Sequence, residues 1–257
     1  MNQKQSLIPD LTNRVNIPEL MDFKDSNLKK LINTIKQFKL INYLFTSSRY
    51  LIQKYIIRDI LAKPNHSSTF LDIGAGACDI PIWLLKKMIK KKINVHIFCL
   101  DYDERIINYS KKICKEFKNI TIIQDNVYNL ENYENFDYIF ANHFLHHLED
   151  EQITRLLQIL VKKTNRIFLL NDILRSYTSY ILYSVFSFVF LHNSFAYYDG
   201  RLSIRKGFLY NDLSDIISHY KQNSEKETKK MTNISVFQCK PGRIGLIGEK
   251  IHSSKKI

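Results

Sequence analysis

Two glycines and two acids in Phe70-Leu71-Asp72-Ile73-Gly74-Ala75-Gly76-Ala77-Cys78-Asp79 carry the strongest chemical signal in the chain. An apolar run ends in an acid, two glycines follow one residue apart, and a helical pattern starts near Ile80. That order reads as strand, tight turn and helix start. Glycines in such a turn let the backbone pass close beneath a ligand, because no Cβ stands in the way. Asp79 occupies the place of the last glycine in a dinucleotide fingerprint. A carboxylate there repels the pyrophosphate that a helix N-terminus otherwise attracts. The loop suits a cationic nucleoside better.

S-adenosylmethionine, with its sulfonium and ammonium, is such a ligand. Further residues stand at the ends of later apolar runs. Asp101 closes Phe98-Cys99-Leu100, 25 residues after Gly76, followed by Tyr102. It can accept hydrogen bonds from both ribose hydroxyls or cap the next helix, and Tyr102 can pack beside the nucleoside or lie on the surface. Asp125, Asn126 and Val127 close the next run, and Asn142-His143-Phe144-Leu145-His146-His147 the one after. An imidazole near a reacting hydroxyl could take its proton, whereas one that only holds the backbone would not. No clear further ligand accompanies the three histidines, so no metal is expected.

These residues need a frame. Short apolar runs at 69–72, 95–100, 120–123, 138–141 and 167–170 read as strands buried on both faces. Helical patterns at 80–89, 104–117 and 151–162 separate most of them. The alternation predicts an α/β Rossmann-like, doubly wound sheet of mostly parallel strands, with ligands at the strands' carboxyl ends. Residues 234–239, a Lys240-Pro241-Gly242 turn and 243–249 predict a C-terminal antiparallel hairpin at the sheet edge. Helical spacing over 26–62 ends at Lys63-Pro64-Asn65, which makes 1–65 a helical N-terminal cap and 66–257 the main domain. The latter carries an aromatic-rich insertion at about 173–208. That insertion could line an acceptor pocket, form core or make a dimer contact.

The glycine-rich turn resembles motif I of the class I S-adenosylmethionine-dependent methyltransferases, with Cys78 where a third glycine is usual. The resemblance extends over about residues 66–250, through five parallel strands and a final hairpin. It implies that Asp72, Gly74, Gly76, Asp101 and Tyr102 contact the cofactor. It also implies that Asp125 accepts from the adenine amino group, with Asn126 and Val127 beside the ring. Asn142 would lie beside the methionine part. Apart from the resemblance, His143, His146 and His147 are the imidazoles that could take a substrate proton, with His143 or His147 the expected catalytic base. The run after the fourth strand lacks the Pro-Pro-aromatic signature of adenine and cytosine N-methyltransferases. Nor does it carry the acids of the metal-dependent catechol enzymes, so magnesium is not expected.

Asn171-Asp172 after the fifth strand, the apolar segment, and Asp199-Gly200-Arg201-Leu202-Ser203-Ile204-Arg205-Lys206-Gly207-Phe208 resemble a narrower branch. Pro18-Glu19-Leu20-Met21-Asp22 and Ile41-Asn42 fit it too. That branch is similar to the quinone methyltransferases and to methyltransferases encoded beside type III polyketide synthases. It implies O-methylation, with C-methylation second, of a hydrophobic polyketide phenol, alkylpyrone or quinol in secondary metabolism. Asp199 and Arg205 could pair as a structural bridge.

Bulk properties set the alternatives. A net charge of +13 admits nucleic acid, an anionic membrane surface or an acidic substrate. The lysines form no arginine-rich tract, so nucleic acid is not the expected partner, and peripheral membrane contact remains an option. Nucleic-acid or protein methylation, and a non-catalytic cofactor-fold protein, are the rival readings. Residues 176–192 carry no formal charge but are short for a membrane span. Four cysteines without C-x-x-C spacing and the lack of a secretory pattern predict a reducing, cytoplasmic setting. Oligomeric state has no sequence signal.

Overall fold

The computed structural model describes residues 9–62, 67–224 and 232–251. The expected break at Lys63-Pro64-Asn65, and with it the cap boundary, lies outside the described residues. A seven-stranded sheet has the order β3-β2-β1-β4-β5-β7-β6. Its strands are β1 (Ser68–Ile73), β2 (Val95–Asp101), β3 (Ile120–Gln124), β4 (Phe136–Asn142), β5 (Thr164–Ile173), β6 (Thr232–Cys239) and β7 (Arg243–Lys250). The first five pair in parallel, whereas β7 runs antiparallel between β5 and β6. The predicted Rossmann-like sheet and closing hairpin are both present.

Near-continuous β-branched and aromatic runs make these strands, because helices cover both faces of the sheet. One apolar layer joins Leu71, Ile139, Leu156, Leu160, Phe168 and Leu213. The other joins Phe70, Leu84, Ile97, Tyr138 and Leu169. Helices α1 (Leu28–Leu44), α2 (Ser48–Leu51) and α3 (Arg58–Leu61) precede the sheet. A π-helical turn, Ile52–Ile57, joins α2 to α3. The crossovers are α4 (Asp79–Lys90), α5 (Glu104–Cys114) and α6 (Asp150–Lys163). The expected insertion comprises α7 (Tyr177–Phe190) and α8 (Ala196–Lys206), with α9 (Tyr210–Asn223) leading to the hairpin.

The parallel strands all end on one side, and α1, α7 and the β6–β7 turn gather over it. Ser47 Oγ donates to the Lys240 carbonyl at 2.6 Å, and Asn33 and Gln37 of α1 donate to the Asn193 and His192 carbonyls. The N-terminal helices are thereby tied to both the insertion and the hairpin. Cys78, Cys99, Cys114 and Cys239 are all free thiols. Among the described residues no helix is long and apolar enough to cross a membrane.

Candidate functional site

A cavity of about 830 Å³ lies at the carboxyl ends of the parallel strands. Asp72, Gly74, Gly76, Asp101, Tyr102, Asp125, Asn126, Val127, Asn142, His143 and His147 all line it, so the sequence candidates converge on one space. Gly74 and Gly76 have φ of 67° and 51°, a region that costs an L-residue about 1–2 kcal/mol. A Cβ on Gly74 would meet Phe144 Cδ2 at 2.9 Å, whereas one on Gly76 would project into open cavity. Gly76 therefore leaves a cradle that a side chain would fill. Cys78 also has positive φ, at 56°, which explains why glycine is the expected residue there. Its side chain turns into the core beside Cys99 and Cys114, away from the cradle.

Three carboxylates surround that cradle. Burial, with Asp79 and Asp101 nearby, holds the Asp72 carboxyl well above the ordinary range. Burial likewise raises Asp79, whose Oδ2 is buried without a hydrogen-bond partner. It pushes Asp101 up to about 6, even though Oδ2 accepts from the Gly76 amide at 3.3 Å and Oδ1 from Asp103 at 3.1 Å. Carboxyls raised together by burial and mutual repulsion, one with an orphaned oxygen, ionise more readily against a ligand that brings positive charge. Tyr102 is exposed at the rim. The Asp125 carboxylate is already engaged: Tyr133 Oη donates to Oδ2 at 2.7 Å and Asn129 Nδ2 to Oδ1 at 2.6 Å. These bonds lower its pKa, so Asp125 is a fixed acceptor at the β3 end.

An amide chain links the cap to this charge. Asn171 Nδ2 donates to Asn142 Oδ1 at 2.7 Å, Asn142 Nδ2 to Asn42 Oδ1 at 3.0 Å, and Asn42 Nδ2 to Asp79 Oδ1 at 2.9 Å. Asn42 lies in α1, Asn142 and Asn171 at neighbouring positions of β4 and β5. The chain ties four elements, β5, β4, α1 and α4, together beside the cavity.

The three histidines have three different surroundings. Burial alone would lower His146, but Asp172 and Glu19 on either side raise it to about 9. Its Nδ1 is 2.7 Å from Asp172 Oδ1 and its Nε2 3.5 Å from Glu19 Oε1. Burial, then Arg243, pushes His143 well below the ordinary imidazole range; Arg243 Nη1 lies 3.4 Å from its Nε2. His147 is partly exposed, with Nδ1 3.6 Å from Asp22 Oδ2 and Nε2 4.0 Å from Glu19 Oε2. Lys206 Nζ, 3.3 Å from Glu19 Oε1 and 3.4 Å from His147 Nδ1, places a cation inside this cluster. Glu19 would be raised by burial, yet His147, His146 and Lys206 hold it well below its ordinary value.

The Asp199–Arg205 pairing that the sequence allowed is replaced by another arrangement. Asp199 accepts from the Leu20 and Met21 amides at 2.8 and 3.0 Å and so fastens the segment that carries Glu19 and Asp22. From the aromatic insertion, Thr178, Ser179, Leu182 and Tyr183 line the cavity, while Phe186 packs on Phe45 with ring centroids 4.8 Å apart. Isolated residue types do not announce Glu19, Asp22, Asn42, Asp172, Lys206 and Arg243 as site groups. Their only sequence signal is the narrower resemblance that covers the first five.

Over residues 64–237 the chain matches the family described as "Methyltransferase domain". No curated protein matches it by sequence. Among solved structures it is similar to the plantazolicin methyltransferase BamL in complex with a triazolic desmethylPZN analog and SAH. That match has 13% identity and a TM-score of 0.56, covering 90% of this chain and 88% of that one. It is also similar to human N-acetylserotonin methyltransferase in complex with SAM, at 11% identity and a TM-score of 0.54 over 84% of this chain and 54% of that one. The CurJ carbon methyltransferase gives 11% identity and a TM-score of 0.52 over 91% and 57%. At these identities the likeness is one of fold.

Proposed function

The chain belongs to the methyltransferase-domain family, and from that premise we propose that it uses S-adenosylmethionine to methylate a hydroxyl of a hydrophobic small molecule. Polyketide phenols, alkylpyrones and quinols are the acceptor class. One observation carries the reading: a single cavity is lined by Asp72, Asp79 and Asp101 and also by His147 with Asp22 and Glu19 beside it. Ile35, Phe38, Ile41, Phe45 and Tyr183 give it apolar walls. S-adenosylmethionine, when bound, supplies a methyl carbon activated by the adjacent positive sulfur.

This chain's residues then divide the work. Asp101 accepts the ribose hydroxyls, and Asp72 and Asp79, whose carboxyls burial raises, ionise against the cationic ligand. Asp125, Asn126 and Val127 face the adenine. Asn142, held by Asn42 and Asn171, positions the amino-acid end. His147, which lines the cavity beside Asp22, Glu19 and Lys206, accepts the hydroxyl proton. His143, lowered by burial and by Arg243, is a positioning group rather than the base.

The test is incubation of the purified protein with isotopically labelled methyl donor and a panel of phenols, alkylpyrones and quinols. A product heavier by one labelled methyl on oxygen is the expected result. Donor binding without transfer to any of the panel would overturn the acceptor class, and absence of donor binding would overturn the cofactor.

A further inference from the structure

The outer face of α7 is apolar and uncovered. Tyr177, Ile181, Leu182, Val185, Phe188 and Val189 form one continuous arc of the helix, and all are exposed, Phe188 by 70%. The inner face packs instead, through Tyr183 and Phe186 against Ile41 and Phe45. Leu40 and Leu44, exposed on α1 beside that packed row, extend the apolar surface. An apolar surface of this extent on a water-facing helix marks an interaction site.

Charge identifies the partner. Residues 26–58 contain seven basic side chains and no acid, and residues 173–198 contain no acid either. Cations flank the face on separate elements. Lys36 stands one helical turn from Leu40 on α1. Arg201 of α8 stacks on Tyr197, whose ring neighbours that of Phe188. Lys240 is exposed in the β6–β7 turn, where Gly242 packs against Ser179 of α7. An uncharged apolar face in a basic surround complements an anionic lipid surface: apolar side chains enter the acyl boundary while lysines and arginines meet the headgroups.

We propose that α7 and the adjoining edge of α1 dock this protein on an anionic phospholipid bilayer as a peripheral contact. The cavity opens at the same face, because Leu182 lines it and is 62% exposed. Docking therefore sets the cavity mouth at the bilayer, where a lipophilic acceptor can pass in without crossing water. That last consequence rests on the acceptor class proposed above, whereas vesicle binding does not.

The experiment is sedimentation of the full chain with vesicles of phosphatidylcholine containing roughly one-quarter phosphatidylglycerol, compared with pure phosphatidylcholine. Preferential binding to the anionic vesicles, weakened by high salt, is expected. The double variant Val185→Asp/Phe188→Asp should lose about tenfold or more in partitioning, with circular dichroism and melting temperature unchanged. Lys36→Glu/Lys39→Glu alters charge without touching the apolar arc and should weaken binding several-fold. The proposal is overturned by wild-type protein that ignores anionic vesicles, or by binding indifferent to both variants. Solution dimerisation abolished by Val185→Asp/Phe188→Asp would also overturn it, because a second copy would then cover the face.

Discussion

His146 Nδ1 lies 2.7 Å from Asp172 Oδ1 inside the fold, and both side chains are closed to solvent. Asp172 Oδ2 also accepts from the Phe144 and His146 amides at 3.1 and 3.2 Å. One carboxylate thus organises the whole turn after β4, and its histidine partner is structural.

The pair makes stability depend on pH. His146 is raised from 6.5 to about 9, so its contribution is complete below the unfolded value and disappears as pH climbs through about 9. Asp172 is depressed from 3.8 by His146, against the effect of burial, so its share is present above that value and disappears in acid. Asp172→Asn should cost about 3–5 kcal/mol near neutrality, the usual loss when a buried pair is broken. Thermal denaturation of both proteins from pH 6.5 to 10 checks this: the gap in melting temperature should narrow at the alkaline end. A constant gap would show that the amide contacts alone hold the turn.

Cofactor affinity should fall in mild acid. Burial raises Asp101 to about 6 in the free protein, and the carboxylate must be ionised to accept from hydroxyls while facing a cationic ligand. Below that pH binding must first remove a proton, so affinity declines by up to about tenfold per pH unit. Titration calorimetry with S-adenosylmethionine at pH 5 to 7.5 should show this slope. Asp101→Asn should bind more weakly at pH 7.5 by about 1–3 kcal/mol and lose the part of the pH dependence centred at about 6, leaving what Asp72 and Asp79 contribute.

Gly76 and Gly74 separate space for a ligand from space for the chain. Each has positive φ, so alanine strains either backbone by about 1–2 kcal/mol. At Gly74 the added methyl meets Phe144, whereas at Gly76 it meets only the cavity. Gly76→Ala should therefore lower cofactor affinity about tenfold or more while shifting the melting temperature by only a few degrees. Gly74→Ala should lose more in melting temperature. Equal affinity for wild type and Gly76→Ala would show that the cradle is not occupied by the cofactor.

The frame and the glycine turn were legible because their signals are local. Five short apolar runs, the acid that ends each of three of them, and the hairpin turn are patterns within a few residues. The rest depends on contacts across the chain. Asn42 reaches Asp79 from a helix that precedes β1, and Glu19 reaches His146 and Lys206 from an irregular segment. No spacing rule links such positions. In α7 the sequence alone leaves pocket, core and surface contact open, and only the assembled fold divides them: Thr178, Ser179, Leu182 and Tyr183 line the cavity while the outer face is uncovered. Cys78 keeps a backbone conformation suited to glycine because its thiol finds a buried place beside Cys99 and Cys114.

The proton step distinguishes His147 from its neighbours. His146 is held by two carboxylates, and His143 is lowered by burial and Arg243, so neither suits proton uptake at neutral pH. His147 lines the cavity and is partly exposed, with Asp22 Oδ2 3.6 Å from its Nδ1 and Glu19 Oε2 4.0 Å from its Nε2. His147→Gln should therefore reduce kcat for a phenolic acceptor by roughly 10²–10⁴-fold, the usual share of general-base catalysis. Donor affinity should be nearly unchanged. The deficit should shrink as pH rises toward the acceptor's own pKa, because an ionised phenol needs no base. His143→Gln should raise KM more than it lowers kcat, with no rescue at high pH, as befits a positioning group. Turnover and donor binding measured from pH 6.5 to 10 for both variants decide the matter. A His147→Gln enzyme with wild-type turnover would remove the base and leave alignment of acceptor and methyl as the source of rate.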